Sequence, residues 1–348
     1  MALSPKESTD SVTSSLKRVL FPLRLVICTA LLAYVFIKYD STTVILQLQH
    51  VQLNWLVASL LLLYFEIFLK SLRWKYILRC YGRQDSSQRL FSLYIEAGFF
   101  NLLFPSFAAG DVSRIVRTSD NGRLSSDAIL AVFLERLSGL VILCLYVTTI
   151  AFLGGYSTLI SIDQIAMFIG VVAALLCILL FLKTNFAQYP LFFLQRLLGR
   201  HWESFSEKVQ HTTNTIKSNP TLLWQVTFLS LLSILVMVLA AYSISLAINF
   251  SIPFHVLLAY VPLTAFITNV PISIAGVGVR ENVYVFFFSA LGFSPEDIIT
   301  FGLTLSALVL LTRLSGGGLL VLRAAYTSLK RTRHKVQGVG FKAKGSSK

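Results

Sequence analysis

Six long apolar runs constrain this chain more than any other feature: Phe21–Ile37, Leu53–Leu69, Ala128–Leu153, Ile162–Leu182, Leu222–Ile248 and Ile298–Leu322. Each is close to the roughly 20 residues that a helix needs to cross the hydrocarbon core of a bilayer. Only 13% of the 348 residues are charged, against about 25% in a soluble domain. The expected class is an all-α polytopic membrane protein. Cys28, Cys80, Cys144 and Cys177 lack the spacing of a metal site or a disulfide framework, and the five histidines are scattered. No metal or cofactor is expected, and no signature of a soluble enzyme is present.

Two further apolar segments, Leu90–Arg117 and Phe254–Leu291, are interrupted. Pro105–Arg114 reads PSFAAGDVSR and Pro271–Arg280 reads PISIAGVGVR, so both follow P-x-x-x-A-G-x-x-x-R. Pro105 and Pro271 remove backbone donors, and Gly110, Gly276 and Gly278 loosen the chain. In lipid such a break must be buried in protein or line a wet cavity. Both segments therefore read as re-entrant hairpins, at about 90–117 and 254–291.

Basic residues orient the chain. They gather at or before the start of the first run, in Lys70–Arg89, after the first break, between Lys183 and Lys217, and in the tail from Arg323 to Lys348. If both hairpins return to the side they entered, 26 of the 30 lysines and arginines fall on one side. By the positive-inside rule that side, with both termini, is cytoplasmic. The order span, span, hairpin, span then occurs twice, in residues 20–153 and 154–322, and three crossings per half invert the second. This is the inverted-repeat plan of many transporters, in which the interrupted segments point to the binding site. RLSG at Arg136–Gly139 and again at Arg313–Gly316 supports the register. Residues 1–19 read as a disordered cytoplasmic segment, Tyr189–Ser218 as an amphipathic surface helix, and residues 323–348 as a basic cytoplasmic tail. That tail serves either as a topology anchor or to attract anionic lipid; nucleic acid is not an expected partner.

Ionisable residues at membrane depth are functional candidates by default. They are Glu66, Glu96, Asp111, Arg114, Glu135, Arg136, Arg280, Glu281 and Arg313. Glu66 reads as structural, one turn from Lys70, and so does Glu96. For Glu135, Arg136 and Arg313, structural ion pairing and function both stand. Neighbours such as Glu135 and Arg136 do not face each other on a helix, so cross-half pairs are expected, for example Arg136 or Arg313 with Glu281 or Glu135. A helix restarting after Gly110 or Gly278 offers free N–H groups and a positive dipole end. With Arg114 or Arg280 added, it suits phosphate or carboxylate, and Asn101 and Asn269 stand near enough to join. Close packing through small residues is the competing explanation, but it does not account for the arginines.

These residues carry a resemblance. Pro105-Ser106, Gly110-Asp111 and Arg114, then Leu134-Glu135-Arg136-Leu137, then Pro271 to Glu281 resemble the lysylphosphatidylglycerol synthase transmembrane-domain family of flippase-like proteins, over about Phe21 to Arg323. Ala109 departs from the family's usual glycine. The resemblance implies a multi-pass inner-membrane protein that moves an anionic, aminoacylated or polyprenyl-phosphate-linked lipid between leaflets. The aminoacyl-transferase domain of full-length synthases is missing, so lysyl-lipid synthesis is not expected. In this reading Arg114 and Arg280 bind phosphate, while Glu135 and Glu281 orient them or meet a cationic substituent. The expected partners are membrane lipids, with a partner enzyme or homo-oligomer left open. Two alternatives remain: a membrane-embedded transferase or transferase subunit with Glu281 or Asp111 as base, and a small-anion or proton-coupled transporter.

Overall fold

The computed structural model describes residues 41–103, 109–119, 125–153, 220–268 and 276–345, with positions 29, 33, 34, 37 and 170. Over these residues it is all-helical, and four helices are long and apolar enough to cross a membrane. The expected spans at Phe21–Ile37 (apart from the isolated positions) and Ile162–Leu182 (apart from position 170), the segments 1–19 and Tyr189–Ser218, and Pro105, Asn269 and Pro271 lie outside the described residues.

In chain order the helices are α1 Ser41–Gln49, α2 Leu53–Arg79, α3 Ser87–Leu103, α4 Ala109–Thr118, α5 Ser126–Leu153, α6 Pro220–Ala247, α7 Phe254–Thr268, α8 Val279–Ser289 and α9 Pro295–Gly345. Helices α2, α5, α6 and α9 correspond to four of the apolar runs. The interrupted segments become the pairs α3–α4 and α7–α8. Their members have 17, 10, 15 and 11 residues, each short of the roughly 20 needed to span. Helix α1 has no counterpart in the sequence reading. It is anchored on the first turns of α9, where Thr300 donates to Gln47 at 2.6 Å and Gln47 donates to Asp297.

One expectation fails at α2. The apolar run ends at Leu69, but the helix continues to Arg79 and carries Arg73 into the protein, where it is buried. Its guanidinium lies against Gly139 on α5, where an added Cβ would come within 2.7 Å of it.

The helices pack in a regular exchange. Gln52 N–H bonds to the Ala247 carbonyl at 2.8 Å, Ser59 to Ala240 at 3.0 Å, and Arg73 to Ser230 at 3.0 Å, so α2 and α6 run antiparallel. Helix α3 lies antiparallel along α9, with Gly98 against Arg313, Ile95 against Gly316, and Glu96 paired to Arg323 at 2.5 Å. Helix α7 also packs against α5. Pro262, inside α7, has no N–H to give to Leu258 four residues earlier. Tyr146 of α5 donates its hydroxyl to that carbonyl instead, at 3.1 Å. The largest buried cluster follows from this contact, joining Leu143 and Val147 of α5 to α6, α7, α8 and α9 around Tyr260, Tyr284, Phe288 and Phe301.

Gly316 marks the tightest part of the α3–α9 seam, because any Cβ there would collide with the Ile95 carbonyl oxygen. Gly316→Val should lower stability by about 1–3 kcal/mol through overpacking. The check is thermal unfolding in detergent, with Gly318→Val, where an added Cβ meets nothing within 4 Å, changing little.

Candidate functional site

Glu135 is the centre of the site. It is 0% exposed and sits on α5, one helix turn before Gly139. Its Oε2 accepts from Arg114 Nη1 of α4 at 3.1 Å, and its Oε1 accepts from Arg73 of α2 and from the Tyr94 hydroxyl of α3 at 3.3 Å. Arg114 also pairs with Asp111, one turn back on α4, and Arg136 reaches Asp111 from α5 at 3.1 Å. The result is an alternating chain of charges, Arg73–Glu135–Arg114–Asp111–Arg136. The aromatic rings of Trp74 and Tyr94 cover Arg114, with centroids 5.0 and 4.5 Å from its Cζ. Such faces attract a desolvated guanidinium.

Arg73, Asp111, Glu135 and Arg136 of this network line a cavity of about 310 Å³. Glu66, Lys70, Arg73, Asp111, Glu135, Arg136, Ser230 and Ser233 line it together with Leu140, Leu143, Ile234, Met237 and Ala265. Glu66 and Lys70 form the expected intrahelical pair at 2.6 Å. The volume is at the low end of ligand pockets, about 300–1,000 Å³. It suits a polar head group with the first part of an apolar tail.

The second broken segment builds a smaller network. Gly276 and Gly278 both have φ of 83°, a conformation that favours glycine. Glu281 accepts from Gly278 N–H at 2.7 Å and from the Ser306 hydroxyl of α9 at 2.5 Å, while Arg280 donates to Ser306 at 2.9 Å. Ser306 thus joins two neighbours that cannot face each other.

The expected residues therefore fall into two groups. Asp111, Glu135 and Arg136 reach the cavity. Arg114 is buried behind it with both carboxylates engaged. Asn101 accepts from Gly110 N–H at 2.8 Å, which closes the α3–α4 turn. Arg280, Glu281 and Arg313 do not line this cavity. Two expectations need correction. The expected cross-half ion pairs do not form among the described residues: Glu135 and Arg136 pair within their own half, where α2, α4 and α5 converge, and Glu281 is taken by Gly278 and Ser306. Nor are the N–H groups of Gly110 and Gly278 themselves free: they donate to Asn101 and Glu281. Sequence reasoning missed Arg73, Tyr94, Trp74, Ser230 and Ser306.

Breaking a buried ion pair by removing one partner typically costs about 3–5 kcal/mol. Glu135→Ala should approach that loss, since it strands Arg73 and Arg114 together. Arg89→Ala, at a half-exposed pair with Asp85, should cost at most about 1 kcal/mol. Unfolding midpoints of the two variants in one detergent make the comparison.

No curated protein and no solved structure matches this chain. The sequence model of one family, described as the lysylphosphatidylglycerol synthase TM region, matches residues 21–327, most of the chain. A multi-pass helical membrane fold with a charge network joining its first broken segment to its spans accords with that match, and the chain belongs to the lysylphosphatidylglycerol synthase TM region family.

Proposed function

We propose that this protein is a lipid translocase, carrying an anionic, aminoacylated or polyprenyl-phosphate-linked lipid between leaflets. The observation that carries this reading is the cavity's mixed lining, in which fixed charges stand together with Leu140, Leu143, Ile234 and Met237. A small-ion path would need no apolar lining. Lys70 and Arg136, with side chains 33% and 41% exposed, meet the phosphate. Glu66 and Asp111 are placed for a cationic substituent. Arg114 acts from behind by holding Glu135 and Asp111, and the tails stay in lipid. The family name, which joins this membrane region to a lipid synthase, supports a lipid as cargo.

The architecture proposed with this function has six spans and two re-entrant hairpins in an inverted repeat, in the inner membrane, with both termini cytoplasmic. The antiparallel α2–α6 pair supports it, because corresponding spans of inverted halves must run in opposite directions. The exchange supports it too: the first helix of each hairpin packs on the last span of the other half, α3 on α9 and α7 on α5. Alternating movement of one half against the other is the general mode of such repeats.

The test uses vesicles carrying fluorescent phosphatidylglycerol, whose outer-leaflet label is bleached by dithionite. Wild-type protein should expose the inner-leaflet label. Met237→Trp, which adds bulk to the cavity lining, and Arg136→Ala should each slow exposure about tenfold while the protein remains monodisperse. Unchanged exposure in both variants rejects the cavity as the path. A new covalent lipid formed from lipid and donor would instead identify a transferase.

A further inference from the structure

Away from the cavity, a second buried carboxylate gathers its own set of arginines. Glu96 of α3 is 0% exposed. Arg117 of α4 pairs with its Oε2, and Arg323 of α9 pairs with its Oε1 at 2.5 Å. The two guanidinium groups are therefore separated by no more than one carboxylate and the two contacts to it. Arg323 also donates to the Ser92 hydroxyl, and Arg89 donates to the Arg117 carbonyl at 3.0 Å. Three arginines from α3, α4 and α9 thus meet at one end of the α3–α9 seam. Glu96 holds Arg117 and Arg323 from within, yet their side chains stay 34% and 43% exposed.

The position along the helices says what such a pair meets. Arg323 comes at the end of the apolar stretch Pro295–Ala325, and Val321 and Leu322 just before it are exposed. Arg117 stands in the last turn of α4, and Val112 and Val116 before it are exposed as well. In both helices apolar surface comes first and the arginine follows. A bilayer presents acyl chains and then phosphates in the same order. Anionic head groups attract basic side chains at that depth. A guanidinium offers parallel N–H groups to phosphate oxygens, and two of them side by side suit one phosphate.

We propose that Arg117 and Arg323, positioned by Glu96 and flanked by Arg89, form a docking site for the phosphate of an anionic phospholipid at the membrane surface. The site lies outside the cavity and does not depend on the translocase reading. Its phosphate is shared by α4 and α9, so occupancy ties the end of the first broken segment to the last span.

The test is native mass spectrometry of the full chain in detergent with equimolar phosphatidylglycerol and phosphatidylcholine. Arg136→Ala serves as the background, because it weakens the cavity and leaves this site intact. In that background the protein should retain phosphatidylglycerol at least fivefold over phosphatidylcholine. Adding Arg117→Gln should reduce this retention at least fivefold, and Arg323→Gln should do the same if Arg117→Gln fails to fold. Replacing Arg331, Arg333 and Lys335, further along α9, with Gln should change retention less than twofold. Absence of a preference in the background, or a preference that survives both arginine substitutions, overturns the proposal. So does retention lost in the triple variant but kept in Arg117→Gln, which makes the attraction a general property of the basic tail. A parallel arm measures thermal protection by inorganic phosphate. Protection that needs Arg117, without any lipid preference, assigns the arginines to a soluble anion and also overturns the lipid site. Dithionite assays on Arg117→Gln and wild type separate the two ideas. Retention unchanged in Arg117→Gln with normal exposure in wild type sinks the docking site alone, whereas retention that needs Arg117 without exposure in wild type sinks the translocase alone.

Discussion

A carboxylate with no exposure to solvent holds this protein's first half together. Glu135 receives Arg73 from α2, Arg114 from α4 and Tyr94 from α3. Four helices therefore meet at one side chain. In a low-dielectric interior neither arginine is tolerable without it. The requirement runs both ways, because an isolated buried carboxylate would protonate and release its partners. The covering rings of Trp74 and Tyr94, the hydroxyl of Ser230 and the bare backbone of Gly139 are all consequences of bringing two guanidinium groups to this point.

The same interaction determines what the cavity offers. The most deeply buried charges are paired with one another. The groups toward the rim, Lys70 and Arg136, keep part of their surface available. The inner charges fix Arg136 through Asp111, and Glu66 holds Lys70. The second broken segment shows the same economy on a smaller scale, with one serine hydroxyl serving both Arg280 and Glu281.

Much of this was legible in the sequence because proline, glycine and charge stand out against an apolar background. The paired P-x-x-x-A-G-x-x-x-R segments located both α3–α4 and α7–α8, and the candidate residues at Asp111, Glu135 and Arg136 do meet. What stayed hidden has physical causes. Arg73 sits among six basic residues between Lys70 and Arg89, and composition alone cannot show that one face of a continuing helix turns inward. Ser306 and Ser230 are ordinary in an apolar helix, and no spacing marks the hydroxyl that a distant arginine will choose. The preference of Glu135 for partners in its own half depends on how four helices converge, which is a property of packing. Helix α1 is short and uncharged, so its anchoring through Gln47 leaves no pattern to read.

Pro262 has a mechanical consequence. Its missing N–H leaves the Leu258 carbonyl to Tyr146 of α5, and Ala265, one turn further along α7, forms part of the cavity wall. Bending α7 away from α5 would abandon that carbonyl in a medium that offers no substitute donor. The two helices are thus coupled like a hinge leaf and its frame, and any motion that widens the cavity at Ala265 has to carry α5 along with it.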